Sequence, residues 1–113
     1  MAEGATVLGK SITVRGEIVG SEDLTIDGIV TGSILLTESR LTVGPNAKVT
    51  ADLQVHDALI LGYTEGATTA TGRVELRKGS TLLGNVTAAR LSIEDGAAMR
   101  GNVALTGSKE AKE

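Results

Sequence analysis

Apolar residues return at every sixth position along almost the whole chain. Ile12, Ile18, Leu24, Val30 and Leu36 form one series, and Val43, Val49, Val55, Leu61 and Ala67 form a second, one residue out of phase. Leu76, Leu82 and Ala88 follow, then Ile93, Met99 and Leu105. Within this spacing runs an alternation by two. Ile12/Val14, Leu24/Ile26, Leu41/Val43, Leu59/Leu61, Val74/Leu76, Leu91/Ile93 and Val103/Leu105 are apolar pairs with one outward residue between them. Alternation of that kind belongs to strands, not helices. Six residues make one short strand and one corner. Three such sides close a triangular coil of roughly eighteen residues, and stacked coils form a parallel β-helix. Crossovers between parallel strands are overwhelmingly right-handed. The predicted fold is therefore all-β: a single-domain, right-handed, triangular parallel β-helix of five to six coils of about 17–18 residues.

The register can be read from a gapless overlay. Residues 74–86 sit on residues 91–103 at an offset of 17, which superposes Gly79 on Gly96, Gly84 on Gly101, Asn85 on Asn102 and Val86 on Val103. The same offset brings Arg77 to Glu94 and Lys78 to Asp95, and sets Arg73 against Arg90. Opposite charges on neighbouring coils help by only ~0.2–1 kcal/mol each, so they mark register more than they stabilise. Counting from Leu24, the coils measure 17 residues to Leu41, 18 to Leu59, 15 to Val74 and 17 to Leu91. The short coil contains the Gly- and Thr-rich stretch 62–72. The repeat covers residues 12–106, and residues 1–11 and 107–113, which lack it, are expected to be flexible tails.

Composition narrows the core. Among 113 residues there is no Phe, Trp or Cys, and Tyr63 is the single aromatic residue. A narrow prism with repeated layers suits Val, Ile, Leu and Ala, because a ring in one layer disturbs the next. The 15 glycines supply corners, and the single proline, Pro45, excludes a Pro-rich linker. The net charge of −3 offers no basic face, so nucleic acid is not an expected partner. Absence of cysteine suits a reducing cytoplasm. No apolar run reaches the length of a membrane span, and the first ten residues do not read as a signal peptide.

The ends carry the functional argument. The first and last coils of a β-helix expose unpaired backbone groups over an apolar cross-section, and repeat proteins normally cap them. Neither tail offers a capping element. Two open ends of equal width imply a filament in which one β-helix runs through many subunits. The alternative is a monomer with one tail folded back as a crude cap.

The order of Leu24-Thr-Ile26-Asp-Gly28-Ile-Val30-Thr-Gly32-Ser-Ile34, Gly84-Asn85-Val86 and Gly101-Asn102-Val103, over a span of about one hundred residues, resembles a bactofilin. That resemblance implies a bacterial cytoskeletal protein with a right-handed β-helical core. It further implies nucleotide-independent polymerisation into apolar filaments by end-to-end contact, and a short N-terminal segment that meets the inner face of the membrane. A role as a scaffold for cell shape, or for localising partners such as cell-wall enzymes, is implied as well. Many relatives carry a Phe in the last coil where this chain has Met99, within Gly96-Ala97-Ala98-Met99-Arg100-Gly101. Met fills the place with less area and rigidity. Arg100 is an odd charge so near the end. The expected joint is Ile12, Val14, Ile18 and Leu24 at one end and Met99, Val103 and Leu105 at the other. Val7, Leu8 and Lys10 form the one apolar-plus-basic cluster available for a membrane, and contacts so small are marginal unless multiplied along a filament.

Catalytic readings are thinner. Left-handed hexad β-helices include acyltransferases, which need a histidine base, and zinc enzymes, which need about three histidines. The sequence has one, His56, expected outward at a strand end; Asp57 beside it faces the other way and makes no dyad. Gly28-x-x-x-Gly32 and Gly62-x-x-x-Gly66 lack the Lys and the helix of a phosphate loop. Carboxylates are scattered, so no metal or other cofactor is expected. Thr68, Thr69 and Thr71 fall in one coil and do not form the recurring ranks that ice binding needs.

Overall fold

The computed structural model describes residues 5–106 and contains no helix among them. Thirteen strands follow one another: β1 (Ala5–Leu8), β2 (Thr13–Val19), β3 (Asp23–Ile26), β4 (Ile29–Val43), β5 (Lys48–Ile60), β6 (Tyr63–Glu65), β7 (Thr68–Ala70), β8 (Arg73–Leu76), β9 (Thr81–Leu83), β10 (Val86–Ala88), β11 (Arg90–Ile93), β12 (Ala98–Arg100) and β13 (Val103–Leu105). Every pairing is parallel, and the strands stack as a three-faced solenoid of six rungs. The first face stacks β1, β3, the last part of β4, the last part of β5, β8 and β11. The second stacks the first halves of β2, β4 and β5 with β6, β9 and β12. The third stacks the remainder of those long strands with β7, β10 and β13. Strands β4 and β5 are long because they run on around corners.

Inward side chains form rows along the rod. Leu8–Ile26–Val43–Ile60–Leu76–Ile93 runs along the first face. Val14–Val30–Val49–Thr64–Leu82–Met99 runs along the second, and Ile18–Ile34–Leu53–Thr68–Val86–Val103 along the third. The middle members are fully buried and, apart from Thr64 and Thr68, aliphatic. Identical or similar shapes on successive rungs interdigitate without rings, which is why an aliphatic core suffices.

The three corners differ. Between the second and third faces the inward residues are always four positions apart (Val14 to Ile18, Leu82 to Val86, Met99 to Val103). Gly16, Gly32, Gly66, Gly84 and Gly101 occupy that corner with φ of 123, 137, 129, 131 and 141°. A Cβ on Gly32 would collide with the carbonyl oxygen of Gly16, and one on Gly101 with that of Gly84. At these five positions only glycine fits, while the third rung turns the same corner through Ala51 without a positive φ. Between the first and second faces the chain uses two corners. Four rungs insert a β-turn, closed by amides donating to carbonyls: Ile12 to Gly9, Ala47 to Gly44, Ser80 to Arg77 and Ala97 to Glu94, at 3.0–3.1 Å. The other two turn directly through Gly28 and Gly62, where a Cβ would strike the carbonyls of Ile12 and Gly44.

These corners shift the register from the expected one in the fourth rung. Leu59, Leu61 and Ala67 were expected inward; Ala58, Ile60, Thr64 and Thr68 take those places, and Leu59 and Leu61 are only half-buried. Rung lengths run 17 residues from Leu24 to Leu41, 17 to Ala58, 16 to Val74 and 17 to Leu91, in place of 17, 18, 15 and 17. A slip of one residue turns every side chain to the other face. The start also differs. Residues 1–11 were expected as a tail, but Ala5–Leu8 is a strand paired to β3 and residues 9–12 form the first turn. Residues 1–4 and the expected tail 107–113 lie outside the described residues.

Candidate assembly interface

Each end of the solenoid is a triangle with one free side. Among the described residues, β11, β12 and β13 at the C-terminal end each have a partner on one edge only, and at the N-terminal end the same holds for β1 and β2. Unpaired strand edges next to apolar surface are the feature that folded proteins otherwise cover.

The C-terminal triangle is apolar on all three sides. Val103 and Leu105 are 42% and 43% exposed, although their row-mates Val86 and Ala88 one rung below are buried. Met99 is half-buried over Leu82. Leu91, Ile93 and Ala97, which the expected set omitted, complete the surface; Ile93 is 50% exposed. The signal for them was present, since Ile93 belongs to the same hexad series as Met99 and Leu105. Arg100 stacks in register on Leu83 and points outward at the rim of the triangle, so its charge is hydrated there.

The N-terminal triangle holds three of the four residues expected there. Val14 and Ile18 are half-buried against the core, and Ile12 is 42% exposed where it closes the first turn. Leu24 is not at the end. It is 5% exposed in the second rung, in register with Thr6 of β1. Gly20 follows Val19 in the row of Leu36, and its missing side chain leaves a recess of about 390 Å³ lined by Ile18, Leu24 and Leu36. The three residues assigned to membrane contact are separated by the fold. Val7 points outward and is 66% exposed, and Lys10 is exposed in the first turn. Leu8 is half-buried and packs against the core.

His56 lies inside β5 at a corner, not at a strand end. Its Nδ1 is 2.8 Å from the Thr71 hydroxyl. Asp57 turns to other partners: it accepts the Arg73 amide at 2.9 Å and faces the Arg40 guanidinium at 3.9 Å. Among the described residues no group of three or more His, Asp or Glu converges as metal ligands do. The Tyr63 hydroxyl donates to Glu65 at 2.9 Å, and that bond and the nearby carboxylate charge push its pKa above the ordinary value. No helix among the described residues is long and apolar enough to cross a membrane.

Comparison with known proteins agrees with this geometry. The sequence model of the family described as "Bactofilin: Polymer-forming cytoskeletal" matches residues 6–104. Bactofilin BacO of Myxococcus xanthus (strain DK1622) is 43% identical over 98 residues, 87% of this chain and 77% of that one. Bactofilin BacP of the same organism is 40% identical over 98 residues, which are 40% of its length. The cytoskeletal bactofilin BacA, solved by solid-state NMR, superposes with a TM-score of 0.82 at 30% identity, over 92% of this chain and 98% of its own.

Proposed function

Because the chain belongs to the bactofilin family of polymer-forming cytoskeletal proteins, we propose that it self-assembles end to end, without nucleotide, into filaments of continuous β-solenoid. The reading rests above all on the C-terminal triangle, an apolar surface bordered by three strand edges that have no second partner among the described residues. A second subunit continues the rows and supplies backbone partners. On the order of a few hundred Å² of apolar surface at ~25 cal/mol per Å² gives roughly 5–10 kcal/mol per joint. Association itself costs ~4–15 kcal/mol, so edge hydrogen bonds and packing quality decide whether filaments grow. Met99→Arg and Leu105→Arg each bury a charge without a partner at the joint and leave the buried core untouched. Electron microscopy of the purified variants is expected to show folded particles and no filaments. Filaments of ordinary length from both would place the joint elsewhere.

Within that reading the filament serves as a scaffold in the cytoplasm, at the inner face of the membrane, for cell shape or for holding clients such as cell-wall enzymes. Lipid contact falls to Val7 and Lys10 without Leu8, since only those two are exposed. One such pair is weak, and repetition along the filament supplies avidity. Val7→Ser combined with Lys10→Glu is expected to abolish co-sedimentation with anionic phospholipid vesicles and to leave filaments intact. Wild-type filaments that never pellet with the vesicles would remove the membrane role.

A further inference from the structure

A column of charges runs down the corner between the third and first faces. Asp23, Arg40, Asp57, Arg73 and Arg90 follow on successive rungs. The first four alternate in sign and are used. Asp23 accepts the Arg40 amide at 2.9 Å, Asp57 accepts the Arg73 amide at 2.9 Å, and Arg40 faces Asp57 at 3.9 Å. The alternation then fails. Arg73 stacks directly on Arg90, in register and about 4.8 Å away. Neither guanidinium has an acidic partner among the described residues. Glu75, the one other acid beside them, is taken by Arg77 at 3.8 Å.

These two arginines flank a surface groove of about 340 Å³ that extends along the rod to Arg40. Its floor is made by small residues, among them Gly72 and Ala89. The amides of Ala89 and Arg90 both donate to the Gly72 carbonyl, so the floor offers no free backbone donor and any ligand must be held by side chains. Like charges on adjacent rungs repel, and the arrangement is unfavourable unless an anion lies between them. From Arg40 to Arg90 is three rung spacings, roughly 14 Å, which a single small oxyanion cannot span. Asp57 and Glu75 leave the groove a net charge near +1, so a ligand is held by pairing with individual guanidinium groups and not by a broad positive field.

We propose that this groove docks an extended acidic peptide segment of a client protein, with its carboxylates on Arg73 and Arg90 and its backbone over the small-residue floor. Each contact is a guanidinium–carboxylate pair, the geometry in which arginine outperforms lysine. Single-site affinity is low. A filament repeats the groove once per subunit and converts weak sites into avid capture of a multivalent client. The site itself lies within one subunit, so it stands or falls separately from the assembly reading.

The test uses a fluorescent peptide of alternating glutamate and serine, with a glutamine–serine peptide as control, followed by anisotropy at low salt. The acidic peptide is expected to bind and the control not. Combined Arg73→Gln and Arg90→Gln should weaken binding about tenfold, the size expected for loss of two solvent-exposed ion pairs. Arg15→Gln, an exposed arginine in β2, should leave it unchanged. Met99→Arg, made to block assembly, should retain single-site binding. Absence of wild-type binding, or equal loss in Arg15→Gln, would overturn the assignment. Full displacement of the peptide by an equal concentration of inorganic phosphate would overturn it too, by marking a plain oxyanion site.

Discussion

Three buried hydroxyls are the least economical residues in the core. Thr64, Thr68 and Ser80 are at most 1% exposed, and their side-chain oxygens have no hydrogen-bond partner. Thr64 stands in a row with Val49 and Leu82, and Thr68 in a row with Leu53 and Val86. Burying an unsatisfied hydroxyl costs ~1–3 kcal/mol by mutational measures. Valine has almost the same shape and no such cost. Thr64→Val and Thr68→Val should therefore each raise stability by about 1 kcal/mol, and urea unfolding midpoints should move upward. A downward shift would mean that these hydroxyls are satisfied, by a backbone carbonyl or by an internal water.

Among the elements, β1 sets where the folded unit begins. Its pairing with β3 covers Leu24 and buries Ile26 completely. Removing residues 1–8 strips the first face from the first rung and uncovers both side chains. Fully exposing an aliphatic side chain of this size costs ~1.5–3 kcal/mol. Part of the surface was already open at the end, so a total loss of about 2–4 kcal/mol is expected, read as a lower thermal midpoint. A free tail would give no change in that midpoint. The element also turns Leu8 toward the core, whereas its neighbour Val7 points outward and is 66% exposed.

For the whole molecule, a solenoid has only nearest-neighbour interactions. Each rung is held by the rung on either side, and the terminal rungs by one alone. The last rung is the least protected: Leu91, Met99 and Ala97 are half-buried, and Ile93, Val103 and Leu105 more exposed still. Assembly places a neighbour on that rung and adds its joint energy to the folded state by mass action. The thermal midpoint of the wild type should thus rise with protein concentration, whereas that of Met99→Arg should not. Equal, concentration-independent midpoints for both would argue that the ends do not join.

Much of this was fixed by local chemistry. Hexad spacing with alternation by two specifies a stacked triangular coil, since only a corner every few residues returns aliphatic side chains to one narrow core. The overlay of residues 74–86 on 91–103 holds throughout, including Arg77 beside Glu94 at 3.6 Å and Arg73 on Arg90. The corner between the second and third faces was nearly as legible, because five of its six positions are glycines with positive φ and only the third rung, with Ala51, departs. What sequence spacing could not decide was how the chain crosses the other two corners. Four positions separate Ile60 from Thr64 at the corner between the first and second faces and six separate Val43 from Val49, and a uniform hexad does not distinguish the two. The dipeptides Pro45-Asn46, Lys78-Gly79 and Asp95-Gly96 signal the inserted turns, but nothing local forbids one at Leu61-Gly62. There the choice falls to close contact with the rung below, where a Cβ on residue 62 would meet the Gly44 carbonyl. That contact turns Thr64 inward and Leu61 out. The same kind of long-range pairing takes Ala5–Leu8 into the rod and Leu24 away from its end, because which residues terminate a stack depends on what pairs with the last strand and not on any property of the strand itself.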